Sequence, residues 1–82
     1  MTNRYPCPCC GYLTYEEEPS GNFDICPVCF WEDDPFQATD PTTAQGANKV
    51  SLLQAQINYK EFGACEHEMR RHVRPPKEGE KP

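Results

Sequence analysis

The clearest pattern of apolar positions lies in the second half of the chain, over residues 51–62. Its apolar face repeats every three or four residues and consists of Leu52, Ala55, Gln56, Tyr59 and Phe62. Ser51 is a suitable N-cap, and Gln54 stands three residues later, as in a capping box. Gly63 occupies the position where a helix commonly ends. The pattern therefore predicts an amphipathic helix over residues 51–62.

Two shorter segments in the first half have the character of β-strands. Residues 12–15 are rich in β-forming side chains, and residues 23–25 alternate apolar and polar positions. The stretch between them, residues 16–22, is rich in turn-forming residues. We therefore expect these two segments to pair as a β-hairpin, with the helix packed against it. A two-stranded hairpin alone is marginally stable in water, so this unit needs a further source of stability.

The remaining segments carry weaker patterns. Residues 30–36 combine three aromatic and three acidic side chains. Trp31 and Phe36 either cover the core or form an exposed surface for a partner. Residues 37–49 read as a loop, and residues 64–72 read as a short second helix. We predict a single domain over residues 1–76, followed by a flexible tail over residues 77–82.

The composition indicates that a small core is stabilised by something besides apolar packing. The chain has 82 residues, of which Leu, Ile, Val and Phe supply only 12. It also contains six cysteines, and domains of this size commonly depend on disulfides or a metal. No apolar run approaches the roughly 20 residues that span a bilayer. These features exclude a large enzyme, a multidomain protein and a membrane-spanning protein.

Four of the cysteines form two C-x-x-C pairs, which favours a metal site over disulfides. Cys7 pairs with Cys10 and Cys26 pairs with Cys29, with 15 residues between the pairs. Residues 1–6 contain no apolar segment of a secretory signal, so we expect a cytoplasmic protein with reduced thiols. Four thiolates from two short loops surround Zn²⁺ as a tetrahedron. We therefore predict one Zn²⁺, with iron as the less favoured metal.

The run of cysteines from 7 to 10 leaves one choice open. Cys9 is an alternative ligand to Cys10, but the spacing and the trailing Gly11 favour Cys10. Cys9 then packs as a small apolar residue or serves as a reactive thiol. Phe30 stands where the first loop has Gly11, so we expect the second loop to be less regular.

A second metal site is conceivable near the C-terminus. Cys65, His67 and His72 are all potential ligands, but they lie on one segment without a second pair. The favoured interpretation is a half-buried Cys65 and two solvated histidines.

The charge distribution bears on the choice of partner. Residues 1–45 hold one basic and eight acidic residues, a net charge of −7, and residues 46–82 have a net charge of +2. Proteins that bind nucleic acid present basic surface to the phosphates, and here the half with the cysteines is acidic. We therefore expect a protein partner, no nucleic acid and no membrane.

Three stretches together resemble a known family. They read YPCPCCGYLTYEE, FDICPVCFWEDD and GANKVSLLQAQINYKEFG, and they are similar to the bacterial cysteine-rich CPCC family over residues 4–76. The resemblance implies a small metal-binding protein, supports Cys7, Cys10, Cys26 and Cys29 as its ligands, and supplies no activity. The loops CPCCGY and CPVC also resemble those of rubredoxins, which hold one iron in four thiolates. The two loops lie closer together here than in ordinary rubredoxins.

These observations predict a small α+β metal-stabilised domain, a zinc-ribbon or rubredoxin-like β-hairpin followed by an amphipathic helix. The expected function is a structural zinc-binding module that docks on a protein. We expect no enzyme, because catalytic zinc keeps an open position and a four-cysteine set is closed. The alternative is a redox protein, either an iron electron carrier or a thiol sensor that uses Cys9.

Overall fold

The computed structural model describes residues 4–82, so residues 1–3 of the predicted domain lie outside the described part. Its strands and helices, in chain order, are β1 (Tyr5–Pro6), β2 (Leu13–Tyr15), α1 (Pro35–Thr39) and α2 (Leu52–Phe62). Two 3₁₀ helices follow at His67–Arg71 and Glu78–Glu80. No helix within residues 4–82 has the length and apolar character needed to cross a membrane.

The strand pairing differs from the predicted hairpin. β2 pairs antiparallel with β1, and Tyr15 lies opposite Tyr5. Residues 23–25 pair instead with residues 31–33, where the Phe23 N–H donates to the Asp33 carbonyl at 2.9 Å. Each C-x-x-C loop thus closes its own small hairpin. Hydrogen bonds inside each loop favour this pairing, from the Gly11 N–H to the Cys7 carbonyl and from the Phe30 N–H to the Cys26 carbonyl.

α2 confirms the predicted helix, including both of its ends. The Ser51 hydroxyl accepts a hydrogen bond from the Gln54 N–H at 3.0 Å, and Gly63 ends the helix with a left-handed φ of 80°. The capping box is only half formed, because the Gln54 side chain donates to the Asn58 side-chain oxygen at 2.8 Å instead of accepting from the Ser51 N–H.

The buried face of α2 packs on the first cysteine loop, whereas the sequence predicted that it packs on a hairpin of residues 12–15 and 23–25. Gln56 donates its side-chain amide to the Pro8 carbonyl at 2.9 Å. The rings of Tyr12 and Tyr59 meet edge to face with centroids 6.2 Å apart. These contacts place the helix beside the cysteine loops rather than at a distance from them.

The segment predicted as a loop over residues 37–49 is held by a buried polar network. It begins inside α1, whose N-cap is Asp34. The Gln37 side chain is fully buried and donates to the carbonyls of Thr43, Asn48 and Val50. The loop therefore has a fixed path with little regular secondary structure.

The end of the chain folds back onto the domain, in contrast to the flexible tail predicted for residues 77–82. Glu80 is 2% exposed and accepts two hydrogen bonds of 2.8 Å from Arg74. Its carboxylate also accepts from the Lys77 N–H at 2.8 Å. The paired charge of Arg74 is what allows a carboxylate to be buried here.

Candidate metal centre

The two cysteine loops have the same backbone hydrogen bonds. In the first, the Cys7 N–H donates to the Tyr12 carbonyl at 2.9 Å and the Gly11 N–H donates to the Cys7 carbonyl at 2.8 Å. In the second, the Cys26 N–H donates to the Trp31 carbonyl at 2.9 Å and the Phe30 N–H donates to the Cys26 carbonyl at 2.7 Å. The two loops therefore present their cysteines in matched conformations.

This match overturns the expectation that Phe30 makes the second loop less regular. Phe30 takes a φ of 69°, close to the 83° of Gly11. A left-handed conformation is strained for a bulky residue, so the surrounding contacts must hold it. One such contact is the ring of His72, which stacks on Phe30 with centroids 5.1 Å apart.

The loops bring together the four predicted sulfurs. The Sγ atoms of Cys7, Cys10, Cys26 and Cys29 all lie within 4.8 Å of one another. The closest pairs are Cys7 with Cys29 at 3.5 Å and Cys10 with Cys26 at 3.7 Å. A tetrahedron with Zn–S bonds of about 2.3 Å has its sulfurs about 3.8 Å apart. The donor set and its spacing therefore fit one tetrahedral metal ion.

Contacts within the cluster shift the pKa values of its thiols in opposite directions. Hydrogen bonding with Cys10, and then with Cys29 and Cys7, lowers the pKa of the Cys26 thiol. The Thr14 hydroxyl lies 3.0 Å from the same sulfur and lowers that pKa further. The pKa of Cys29 is raised, chiefly by its bond with Cys10. The pKa of the Cys7 thiol is lowered as well, chiefly by its hydrogen bond with Cys10. A bound cation would favour the thiolate form of all four cysteines.

Tyr15 closes the cluster on the side of the first hairpin. Its hydroxyl donates to the Trp31 carbonyl at 3.1 Å, which links the two hairpins. Burial, and then the negative charge at Cys7, raise the pKa of Tyr15. The phenol therefore stays neutral and acts as a donor beside the sulfurs.

A family model described as Cysteine-rich CPCC matches residues 5–80. The chain belongs to the cysteine-rich CPCC family. The match includes both C-x-x-C pairs and extends past residue 76 to the buried Glu80. No curated protein matches the chain significantly.

The other two cysteines of this CPCC protein lie in the core beside the cluster. Cys9 is 7% exposed, and Cys10 rather than Cys9 belongs to the group of four sulfurs. Cys65 is fully buried rather than half-buried, and its N–H donates to the Cys29 carbonyl at 2.8 Å. Burial is the main cause that raises the pKa of the Cys65 thiol to about 12. Both residues pack as small apolar side chains.

The conceivable second metal site does not assemble in the part of the chain that the structure describes. Within residues 4–82, the four sulfurs are the only group of three or more His, Cys, Asp or Glu side chains close enough to hold a metal. His67 packs edge to face on Phe62 at 5.4 Å, and His72 stacks on Phe30. The two histidines are exposed, as predicted, and each serves an aromatic contact.

The two aromatic residues predicted for a partner surface separate completely. Trp31 is 1% exposed and belongs to the core, so it is not part of any surface. Phe36 is 74% exposed at the start of α1. The Pro35–Phe36 step starts a helix that turns the Phe36 ring outward, while the Trp31 backbone is fixed between Cys26 and Tyr15.

Two polar residues beside the site escaped the sequence analysis. Thr14 is 9% exposed and bonds to Cys26, and Asn48 is 6% exposed and bonds to the backbone of Glu32. Threonine is an ordinary strand former, so Thr14 carries no distinct signal. Asn48 lies between Gly46 and the helix cap Ser51, in a stretch whose composition is typical of any loop.

Proposed function

We propose that this CPCC protein is a structural zinc-binding module with the architecture of a zinc ribbon. The observation that carries the proposal is the set of four sulfurs with tetrahedral spacing on two matched loops. A metal held by four protein thiolates has no open position for a substrate or water. This supports a structural role over a catalytic one.

The chain's own residues prepare the site for a cation. The loop turns at Gly11 and Phe30 fix the cysteines, the Thr14 hydroxyl supports the charge of Cys26, and Tyr15 bridges the hairpins. A bound metal supplies the attraction that keeps four thiolates together. Because strands of two or three residues cannot hold such an arrangement alone, metal binding free energy becomes folding free energy.

Metal analysis of the purified protein, with a visible spectrum of the same sample, tests the proposal. We expect one zinc per chain, no colour, and loss of regular circular dichroism on chelation. The Cys26→Ser variant should lose the zinc, and the Cys9→Ser variant should keep it. Iron with visible charge-transfer bands would identify a rubredoxin-like electron carrier instead, since four thiolates also suit iron. Metal release by peroxide that depends on Cys9 would identify a thiol sensor.

We also propose that the module docks on a protein partner, in a compartment that keeps thiols reduced. Exposed Phe36 supports this, because it lines an open groove of about 730 Å³ together with Thr39, Asp40 and Gly46. The net charge of −7 over residues 1–45 disfavours nucleic acid as the partner. Affinity capture with the wild-type protein and the Phe36→Ser variant tests this role. A partner retained equally by both would contradict the involvement of Phe36.

A further inference from the structure

The hairpin of the second cysteine loop directs backbone groups outward along both of its edges. Ile25 lies opposite Glu32, and the hydrogen bonds beside this pair come from its neighbours. The Asp33 N–H donates to the Asp24 carbonyl and the Cys26 N–H to the Trp31 carbonyl, each at 2.9 Å. In such a non-hydrogen-bonded pair, the N–H and C=O groups of both residues point away from each other.

The Asn48 side chain forms hydrogen bonds with the backbone of the edge at Glu32. Asn48 accepts a hydrogen bond from the Glu32 N–H at 2.9 Å and donates one to the Glu32 carbonyl at 2.7 Å. Gln37 fixes the Asn48 amide through a bond of 2.8 Å. This amide thus occupies the place that a neighbouring strand would take.

The opposite edge, at Ile25, is open. Within residues 4–82, no hydrogen bond involves the N–H or the C=O of Ile25. The Ile25 side chain is 46% exposed and that of Phe23 is 52% exposed. Sheet edges of this kind are sites where an additional strand pairs with the main chain.

The open edge faces an acidic groove. The groove measures about 200 Å³ and is lined by Asp24 and Ile25 together with Thr14, Tyr15 and Glu16. Within the described chain, neither Asp24 nor Glu16 forms an ion pair, and no basic side chain lines the groove.

The acidic character extends beyond the groove itself. Glu17 and Glu18 continue the chain after Glu16 and are exposed. Thr14 connects the groove wall to the sulfur cluster. Four thiolates with one divalent metal would carry about −2 charge and would add to the negative potential at this place.

We propose that the edge at Ile25 receives an extended, basic segment of a protein partner. The partner's main chain would pair with the Ile25 N–H and C=O, and a lysine or arginine would enter the groove toward Glu16 and Asp24. This proposal deepens the docking role given above and rests on it, but it names a surface distinct from the Phe36 groove. Acidic segments and nucleic acid would be repelled there.

Titration of the zinc-loaded, ¹⁵N-labelled full chain with short peptides tests the proposal. The probe is a capped hexapeptide of alternating valine and lysine. We expect saturable shifts centred on the amide of Ile25. A valine–glutamate peptide should bind at least about tenfold more weakly, because its charge has the wrong sign. A valine–lysine peptide with N-methylated backbone should also bind about tenfold more weakly, since it cannot complete the main-chain bonds.

Variants of the protein separate this edge from general charge attraction. Asp24→Asn combined with Glu16→Gln should weaken binding of the valine–lysine peptide about tenfold. The matched control Glu61→Gln, which removes an exposed acid on α2, should leave binding unchanged.

Three outcomes would overturn the proposal. They are equal binding of the acidic peptide, shifts centred on the Phe36 groove, and a response of Ile25 to protein concentration alone, which would indicate a second copy of the chain. Zinc content measured on the same sample keeps the two proposals apart. A folded, zinc-loaded protein whose Ile25 amide does not respond would reject the strand edge and leave the metal module standing.

Discussion

At the residue scale, the Thr14 side chain stabilises the charge of one of the four candidate metal ligands. The Thr14 hydroxyl lies 3.0 Å from the sulfur of Cys26, and this bond lowers the pKa of the thiol. Groups that donate to a ligand atom stabilise its charged form and orient it.

Replacing Thr14 with valine should therefore weaken zinc binding while the fold is kept. Losses of about 10–100-fold in affinity are typical when such a partner of a ligand is removed. Competition with a chromophoric chelator measures the change. The control is Thr39→Val, at an exposed position whose hydroxyl bonds to the Pro35 carbonyl. Equal affinities of wild type and the Thr14 variant would show that the hydroxyl contributes nothing to the site.

The φ of 69° at Phe30 offers a second test at the same scale. Glycine is ordinarily less stable than alanine in regular structure by about 0.5–1 kcal/mol, but it is favoured where φ is positive. Phe30→Gly should therefore be about 1 kcal/mol more stable than Phe30→Ala.

Chemical denaturation of the zinc-loaded variants measures this difference, because both lose the same aromatic ring. The same pair of substitutions at exposed Leu53 within α2 should give the opposite order. If the Phe30→Ala variant were more stable than the Phe30→Gly variant, the left-handed backbone at position 30 would be contradicted.

At the scale of elements, α2 depends on one of the two side chains that its sequence offers as caps. Ser51 accepts from the first turn, whereas Gln54 bonds to Asn58. Ser51→Ala should lower the free energy of unfolding by about 1 kcal/mol. Gln54→Ala should change the free energy of unfolding by only about 0.3 kcal/mol, because alanine also has a high helix propensity. Thermal unfolding of both variants measures this difference. An equal loss of stability in the two variants would indicate that Gln54 also caps the helix.

The segment between α1 and α2 is an element held together by side-chain amides. Asn48 bonds to both backbone groups of Glu32 and is itself fixed by Gln37. Asn48→Ala should lower the free energy of unfolding by about 2 kcal/mol, since it leaves buried groups without partners. The matched control is Gln45→Ala, at an exposed position of the same segment. If the Asn48→Ala and Gln45→Ala variants had equal free energies of unfolding, the hydrogen bonds of Asn48 would contribute nothing to stability.

At the scale of the whole molecule, Glu80 joins the two ends of the described chain. Its carboxylate accepts from Arg74 at 2.8 Å and from Arg4 at 3.4 Å. The bonds from Arg74 are the main cause that lowers the pKa of Glu80 to about 2, from an ordinary value of 4.5. A group with a lowered pKa stabilises the fold above its unfolded pKa, and this contribution is lost as the pH falls from about 4.5 to about 2.

Glu80→Gln should therefore lower the free energy of unfolding at pH 7, by an amount on the order of 2 kcal/mol. The difference from wild type should shrink at pH 4. Chemical denaturation at pH 7 and at pH 4 measures this difference in stability. Because variant and wild type are compared at the same pH, the effect of acid on the thiolates is common to both. Glu78→Gln, at an exposed position, should show little change at either pH. A difference that stays constant with pH would contradict the role of the carboxylate charge.

The features that the sequence alone determined are those controlled by neighbouring residues. The helix over residues 51–62 follows from local periodicity and from caps within a few positions of each end. The group of four cysteines follows from the spacing within each pair, because a C-x-x-C loop can present both sulfurs to one side. Both are short-range properties of the chain.

The tertiary structure decided the features that depend on distant residues. The burial of Trp31 with exposure of Phe36 and the contact of Arg4 with Glu80 involve such residues. The observed partners of residues 12–15 and 23–25 lie nearby in the chain, but the apolar pattern alone did not distinguish them from a hairpin across residues 16–22. Strand pairing and burial are set by whichever packing gives the lowest free energy for the whole molecule, and local patterns only weakly constrain that choice. For the same reason, the difference between the open edge at Ile25 and the edge that Asn48 closes at Glu32 follows only from the tertiary structure.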